Sequence, residues 1–156
     1  MCIRDRFPTA LECVGADAPE AELPGRSLWL TANEDDAERT VLSEYHALGT
    51  EHACFMLRRR RYKYIYYVGA PPQLFDLRED PDELNDLSAS AAHRTLVVDF
   101  ERELRSMLDP EAIDARARAD QRAMVERCGG EDAVRAKGAF DHSPTPGEQP
   151  AFRTNP

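Results

Sequence analysis

The chain has 156 residues, of which 42% are hydrophobic and 31% are charged, which is enough for one modest domain with a core and too little for a large enzyme. Its 20 basic and 29 acidic residues give a formal net charge of −9, which argues against a general affinity for nucleic acid or anionic membranes. No apolar run approaches the roughly 18 residues of a membrane span, and no signal peptide is recognisable, so we expect a cytoplasmic protein without a membrane partner.

Residues 1–6 show no pattern that predicts a helix or a strand. Residues 1–6 show no periodicity and resemble translated sequencing-adapter text of the kind found at the ends of assembled environmental reads, so we expect them to be a non-native leader. The next residues predict a short helix over 10–14. Pro8 or Thr9 opens it, and Gly15 is a suitable stop because glycine accepts the left-handed conformation after a helix.

The middle of the chain carries strand signals. A turn at 24–25 and an acidic stretch precede a predicted strand over 40–45. Residues 53–68 alternate in the manner of a hairpin, with 60–61 near its turn, and 73–77 form a further short strand. Three or four antiparallel strands are enough for a small sheet with one covered face.

Two helices are predicted after the sheet. Residues 80–83 read as a helix start, because Asp80 can cap, Pro81 fits the first helical position and Glu83 closes a capping box. A longer helix then covers about 91–108 and is expected to lie over the sheet, with Glu101 and Arg105 paired on its exposed side. Its predicted inner stripe consists of Leu96, Val97, Phe100, Leu104, Met107 and Leu108.

A second helix begins at Asp109-Pro110 and stops at Gly129-Gly130. Its predicted inner stripe consists of Ile113, Ala117, Met124, Val125 and Cys128. The tail after Gly138 is rich in proline and polar residues, so it either wraps over a neighbouring surface or stays disordered. The predicted class is therefore α+β: a small antiparallel sheet of about 3–4 strands under a helix, followed by a second helix and an extended tail.

Basic and aromatic residues alternate over 58–64, and such a run can bind phosphates and stack bases. The alternative is a solvated hairpin whose long basic side chains protect exposed strand edges. The net charge of −9 favours that alternative. We therefore expect no nucleic-acid partner.

Glu44 and His46 flank Tyr45 at the end of a predicted strand, where side chains can reach into an adjoining cleft. From spacing alone such residues are more often a surface pair. The other histidines, His52, His93 and His142, have no ligand spacing, so no metal site is expected in this chain. The cysteines, Cys2, Cys13, Cys54 and Cys128, form no Cys-x-x-Cys pair and are interpreted as reduced structural thiols.

Four segments in sequence order resemble the C-terminal end of sulfatases, a branch of the alkaline-phosphatase-like hydrolases. They are Ser43-Glu44-Tyr45, then Met56-Leu57-Arg58 to Tyr62-Lys63-Tyr64-Ile65, then Gln73-Leu74-Phe75-Asp76-Leu77, then Asp80-Pro81-Asp82-Glu83-Leu84-Asn85-Asp86-Leu87. Residues 7–15 look like the helix that follows the family's last core loop, and 24–28 are similar to its Pro-x-Gly-x-Ser-Leu turn. Residues 121–147 look like the extended tail of choline-sulfatase-like members.

The resemblance implies a division of the chain. Residues 7–38 would be the remnant of the catalytic core with a linker, and 39–108 the smaller C-terminal subdomain. Residues 109–138 would be a helical extension, and 139–156 a Pro-rich tail.

The chemistry of the family implies a formylglycine segment and a cation site, and we expect neither in this chain. A Cys-x-Pro-x-Arg or Ser-x-Pro-x-Arg segment supplies formylglycine, and carboxylates hold a divalent cation such as calcium or manganese. None of the four cysteines has the required proline and arginine. We therefore expect no catalytic residue, no metal ligand and no cofactor in this chain, which would be inactive alone.

The resemblance also implies a role. The chain would complete the substrate pocket of a sulfuric ester hydrolase that acts on a small sulfate ester, and its tail would join a homo-oligomer interface. Glu44 is the first expected substrate contact and His46 the next, because the corresponding segment of choline-sulfatase-like relatives approaches the pocket. One alternative is a stand-alone module that binds an anionic partner through the Arg/Tyr hairpin. Another is the end of a phosphodiesterase or phosphonate hydrolase of the same superfamily.

Overall fold

The structure is a computed structural model that describes residues 3–16, 25–33, 39–46, 50–137, 139–140 and 152–153. The chain divides into two compact units, Met1–Glu111 and Ala112–Pro156. Within the described ranges, every helix is too short or too polar to cross a membrane.

The centre of the first unit is a four-stranded antiparallel sheet in which each strand pairs with the next along the chain. Its strands are β1 (Thr40–Tyr45), β2 (Cys54–Arg59), β3 (Tyr62–Tyr67) and β4 (Ala70–Asp76). The predicted strand over 40–45 and the predicted hairpin are confirmed, with Arg60 and Arg61 as the two-residue loop between β2 and β3. The last strand begins at Ala70 and not at Gln73, and it tolerates Pro71 and Pro72 because β4 is an edge strand.

The core lies between this sheet and helix α3 (Arg94–Met107). Leu57, Tyr64 and Leu74 stand opposite one another on three neighbouring strands and are fully buried. Phe100 and Leu104 of α3 are fully buried as well. Strand β2 buries Phe55 and Leu57 at alternate positions, and the helix buries positions four residues apart, so both patterns place apolar groups in one layer.

The helix over the sheet is confirmed, with two differences from its prediction. Residues Ala91–His93 form a 3-10 turn before α3 begins at Arg94. Met107, assigned to the inner stripe, is 46% exposed. It is the last residue of α3, so it lies beyond the part of the helix that covers the sheet.

Helix α1 (Ile3–Cys13) is longer than the predicted helix and contains Pro8. Its predicted stop is confirmed, since Gly15 adopts φ +67° and the Ala16 amide donates to the Leu11 carbonyl at 2.9 Å. The short helix α2 (Leu28–Asn33) has no counterpart in the prediction. Ser27 caps it, because its hydroxyl accepts a hydrogen bond from the Trp29 amide at 3.3 Å.

Residues 80–83 form a turn and not the predicted helix start. The carboxylate of Asp80 does cap, since it accepts from the Leu84 amide at 3.1 Å and the Asn85 amide at 2.8 Å. Glu83, however, adopts the left-handed φ of 57°, and its carboxylate binds the Lys63 ammonium of β3 at 2.6 Å. A right-handed helix cannot continue through Glu83, because its φ is positive. The ion pair with Lys63 forms at this turn.

The second unit is mostly helical. Helix α4 (Pro110–Arg127) crosses the boundary between the units, and α5 (Glu131–Lys137) follows. The predicted stop at Gly129 and Gly130 is confirmed, because both adopt φ values near +90°. Ala139–Phe140 (β5) pairs with Phe152–Arg153 (β6), and the rest of the tail lies outside the described residues.

The predicted inner stripe of α4 is wrong at two positions. Met124 is 54% exposed and Cys128 is exposed, whereas Asp114 is buried. Ile113, Ala117 and Val125 are half-buried, as a helix with one covered side requires. The apolar spacing therefore located the helix but not the side chains that it buries.

Candidate functional site

Glu44 and His46 come together at the end of β1. The Nε2 atom of His46 lies 3.3 Å from Oε2 of Glu44, and the two side chains are 25% and 45% exposed respectively. The predicted pair therefore forms, and it keeps a carboxylate in contact with solvent. A histidine beside a carboxylate can hold a proton that the carboxylate orients.

The position of this pair follows from strand register. Glu44 stands opposite Phe55, and Phe55 stands opposite Tyr66, so all three belong to the sheet face that α3 covers. The His46 ring meets the Phe55 ring edge-on, with centroids 5.5 Å apart. Because Phe55 is fully buried, the core fixes one side of the imidazole while Glu44 approaches its Nε2 atom.

A second polar cluster lies two strands away on the same face, at Tyr66. Since neighbouring strands are separated by about 4.8 Å, Tyr66 starts roughly 10 Å from Glu44. Its hydroxyl donates to Oε1 of Glu111 at 2.6 Å and accepts from Nη2 of Arg105 at 3.0 Å. Arg105 also binds both carboxylate oxygens of Glu111, at 2.9 and 3.0 Å.

The electrostatics of this cluster favour its charged form. The hydrogen bond from Arg105, followed by that from Tyr66, lowers the pKa of Glu111 from 4.5 to about 2. Burial and the bond to Glu111 raise the pKa of Tyr66. The predicted pair of Glu101 and Arg105 is confirmed at 3.1 Å, but the sequence reasoning missed Tyr66 and Glu111. No local spacing could reveal them, because Tyr66 lies 39 residues from Arg105.

The basic hairpin gives less cationic surface than its sequence suggests. Arg59 binds Glu103 at 2.5 Å and lies over the Phe100 ring. Arg61 binds Asp76 at 3.1 Å, and Lys63 binds Glu83. Three of the basic side chains are thus already paired with carboxylates, which disfavours this hairpin as a site for an anionic partner.

The described residues do not form a metal centre or a formylglycine site. Nowhere in these ranges do three His, Cys, Asp or Glu side chains meet in a way that could hold a metal ion. Cys13, Cys54 and Cys128 are unpaired thiols, and burial raises the pKa of Cys54, which disfavours a reactive thiolate. The residues that the structure describes therefore do not fit the cation and the modified cysteine that the resemblance implies for a whole enzyme.

The acidic segment after β4 stabilises the edge of the sheet through Asp86 and Leu87. Oδ1 of Asp86 accepts from the Leu74 amide at 3.0 Å and the Ser88 amide at 2.8 Å, and the Leu87 amide donates to the Leu74 carbonyl at 2.8 Å. These bonds satisfy the amide and the carbonyl of Leu74, which face away from β3 at the edge of the sheet. One of the segments that carry the resemblance therefore closes the sheet.

Comparisons with known proteins agree with this architecture. The family model described as N-sulphoglucosamine sulphohydrolase, C-terminal, matches residues 3–109. Arylsulfatase K of Homo sapiens is 32% identical over 123 residues, which cover 71% of this chain and 22% of that protein. The multifunctional alkaline phosphatase superfamily protein PehA of Trinickia caryophylli is 28% identical over 113 residues, or 62% of this chain and 22% of PehA.

Solved structures share the fold. A 2-O GAG sulfatase superposes with a TM-score of 0.58 and 26% identity over 76% of this chain and 26% of that one. The phosphonate monoester hydrolase of Agrobacterium radiobacter superposes with a TM-score of 0.51 and 26% identity over 65% of this chain and 23% of that one.

The chain spans about a fifth of the length of the curated relatives that it matches. The family match covers more than half of the chain and includes the sheet, α3 and the pair of Glu44 and His46. The expected resemblance to the end of sulfatases is thereby confirmed. This chain belongs to the family of N-sulphoglucosamine sulphohydrolase C-terminal regions.

Proposed function

We propose that the chain is the C-terminal part of a sulfuric ester hydrolase and that it completes the substrate pocket without catalysing the reaction itself. The family match over residues 3–109 carries this proposal. The names of the similar proteins support it, because they include arylsulfatase K and a 2-O GAG sulfatase. The nucleophile and the metal ligands of the reaction are assigned to the part of the polypeptide that this chain does not contain.

Glu44 is the proposed substrate contact, and His46 assists it. A half-exposed carboxylate can accept hydrogen bonds from hydroxyl groups or pair with a cationic group of a sulfate ester. His46 is held between Phe55 and Glu44, so its imidazole orients the carboxylate. Such contacts act on the part of the substrate that does not react and therefore affect binding more than chemistry.

The first test is to sequence the source DNA upstream of the codon for Phe7. A reading frame that continues into a Cys-x-Pro-x-Arg or Ser-x-Pro-x-Arg segment is the expected result. A frame that is closed by a true start codon near Met1 would replace the proposal with a stand-alone binding module.

The second test uses the intact enzyme recovered in that way. Glu44→Gln removes the charge at nearly constant volume, so we expect KM to rise by about tenfold, the equivalent of one charge-assisted hydrogen bond, with kcat nearly unchanged. Ser43→Ala is the matched control, because Ser43 is an exposed neighbour on the opposite face of β1. An unchanged KM for Glu44→Gln would remove Glu44 from the pocket.

The similarity to phosphonate monoester hydrolase and to PehA supports a second candidate, a hydrolase of phosphate or phosphonate esters. Sulfate and phosphate esters share tetrahedral geometry and differ mainly in charge. Assaying the intact enzyme on p-nitrophenyl sulfate and p-nitrophenyl phosphate separates the two. A higher kcat/KM for the phosphate ester would favour the second candidate.

A further inference from the structure

The side chain of Glu44 is held through His46. Glu44 lies near the end of β1, an edge strand, and its side chain is 45% exposed. A glutamate side chain that rotates freely must lose conformational entropy when a ligand binds it. In the part of the chain that the structure describes, the imidazole of His46 is the one hydrogen-bond partner of this carboxylate. The position of the carboxylate therefore depends on the position of the imidazole.

The imidazole is oriented by an aromatic contact. His46 lies one residue beyond the end of β1, where strand pairing no longer fixes the backbone. Its ring meets the ring of Phe55 with centroids 5.5 Å apart and ring planes 74° from parallel. An edge-to-face contact of two aromatic rings restricts both their distance and their tilt. A buried aliphatic side chain would offer apolar contact without this angular preference.

Phe55 is a rigid support for this contact. It lies on β2, a central strand, and its side chain is fully buried. It stands opposite Glu44 of β1 on one side and Tyr66 of β3 on the other. The pairing of β2 with β3 extends past Phe55, because the Val68 amide donates to the Ala53 carbonyl at 3.1 Å. Phe55 is thus held in the sheet and does not belong to a loose strand end.

Tyr66 limits the space on the far side of Phe55. Residues directly opposite each other on antiparallel strands have Cβ atoms about 5 Å apart, so Tyr66 lies beside Phe55 on the covered face. The Tyr66 hydroxyl is bonded to Arg105 of α3 and to Glu111 of α4. The tyrosine is therefore fixed both at its backbone and at its hydroxyl, and the neighbouring phenylalanine ring has a fixed side wall.

We propose that Phe55 is a positioning residue of the substrate contact: its ring orients His46, and His46 in turn holds the Glu44 carboxylate. The effect on substrate rests on the proposed function, because it takes Glu44 as a substrate contact. The geometry does not depend on that function, since it involves three side chains of this chain alone. Phe55 is fully buried, so it acts on a substrate only through the other two residues.

Nuclear magnetic resonance of the full 156-residue chain tests the geometry without any assay of activity. The three-bond couplings across χ1 of Glu44 distinguish one fixed rotamer from an average over the staggered positions. Phe55→Leu removes the ring and keeps an apolar side chain. Leu57→Met is the matched control, because Leu57 is fully buried on the same face of β2 and stands opposite Leu42. Exchanges of leucine for methionine conserve volume and are well tolerated.

We expect one Glu44 rotamer in the unchanged chain and in Leu57→Met, and an average over rotamers in Phe55→Leu. An average already present in the unchanged chain would overturn the inference. A single Glu44 rotamer in a folded Phe55→Leu chain would overturn it as well.

A surface substitution covers the case in which Phe55→Leu does not fold. His46→Gln places an amide nitrogen where it can still donate to Glu44, as the imidazole Nε2 does, but it presents no ring to Phe55. We expect the Glu44 couplings to average in this variant too. A fixed Glu44 rotamer in His46→Gln would show that the ring contact is not needed, which would overturn the inference.

Kinetics of the intact enzyme test the effect on substrate. Phe55→Leu is expected to raise KM by about threefold with kcat unchanged, because the loss of one aromatic contact loosens the carboxylate without removing it. In a His46→Ala background the same substitution should raise KM no further, since Phe55 acts through His46. An equal rise in KM in both backgrounds would overturn the inference.

Failure of the inference and failure of the proposed function give different results. A KM that rises in Glu44→Gln but not in Phe55→Leu would leave the substrate contact in place and overturn the role of Phe55. A KM that stays unchanged in Glu44→Gln would overturn the proposed contact, and with it any effect of Phe55 on substrate.

Discussion

Tyr64 and Phe100 stack across the interface between the sheet and α3, with ring centroids 5.6 Å apart and ring planes 6° from parallel. Both side chains are fully buried. The Tyr64 hydroxyl has no hydrogen-bond partner within the part of the chain that the structure describes, and burial raises the pKa of Tyr64. A buried hydroxyl of this kind costs stability that the stacked rings must offset.

Tyr64→Phe is therefore expected to stabilise the protein by about 1 kcal/mol, because it removes an unsatisfied hydroxyl and keeps the stacked ring. Tyr67→Phe is the matched control. The Tyr67 hydroxyl donates to Oε1 of Gln73 at 2.8 Å, so its removal should cost about 1 kcal/mol. Urea unfolding of both variants measures the difference, and a loss of stability in Tyr64→Phe would reveal a partner for that hydroxyl.

The pKa of Glu111, lowered to about 2, predicts a loss of stability in acid. Because the folded pKa lies below the ordinary value of 4.5, the stabilisation is present above about pH 4.5 and is lost as the pH falls toward 2. The melting temperatures of the wild type and Glu111→Gln should therefore differ most at pH 6, and the difference should shrink as the pH falls from about 4.5 and vanish only below about 2. A difference that is constant across this range would show that Glu111 does not titrate in the folded cluster.

Asp86→Ala is expected to destabilise the sheet by about 2 kcal/mol, because two amides lose a charged acceptor. Asp86→Asn keeps an oxygen in the same place and should cost less. Although burial alone would raise the pKa of Asp86, the hydrogen bonds from Leu74 and Ser88 lower it. Hydrogen exchange at the Leu74 amide reads out the bond directly, and unchanged protection in Asp86→Ala would refute its role at the edge of β4.

Arg60 adopts a left-handed φ of 54° in the two-residue loop between β2 and β3. Arg60→Gly should stabilise the hairpin by about 1 kcal/mol, because glycine adopts this conformation without the steric cost of a Cβ atom. Arg61→Gly is the contrasting variant, since it removes the bonds of Arg61 to Asp76 and Tyr62, and it should destabilise. Thermal melts distinguish the two, and a destabilised Arg60→Gly would mean that the Arg60 side chain matters more than its backbone.

The alternation of the strands made the sheet predictable. Phe55 and Leu57 are buried two residues apart on β2, and their spacing was enough to place them on one face of the hairpin. The spacing of Phe100 and Leu104 likewise predicted which side of α3 is buried. The hairpin and the buried side of α3 were predictable because each depends on residues that are close together in the sequence.

The features that were missed depend on distant partners. The turn at Glu83 forms with Lys63, 20 residues away, and Asp5 is buried because Arg39 binds it from 34 residues away. The pair of Glu44 and His46 was predicted because both residues lie on one strand end, whereas its neighbour cluster of Tyr66, Arg105 and Glu111 joins three elements. The assignment of residues 1–6 as a leader stays a prediction, and the family match includes part of that segment.

Trp29 is the single tryptophan of the chain, and it is 57% exposed. The protein thus carries one intrinsic indole fluorophore, and it lies where α2 meets the end of α1, with its nitrogen 3.2 Å from Sγ of Cys13. Its emission maximum and its access to a soluble quencher would report on the contact between α1 and α2 without any label. The other aromatic residues of the described core are tyrosine and phenylalanine, so excitation at the red edge of indole absorption would report on this position alone.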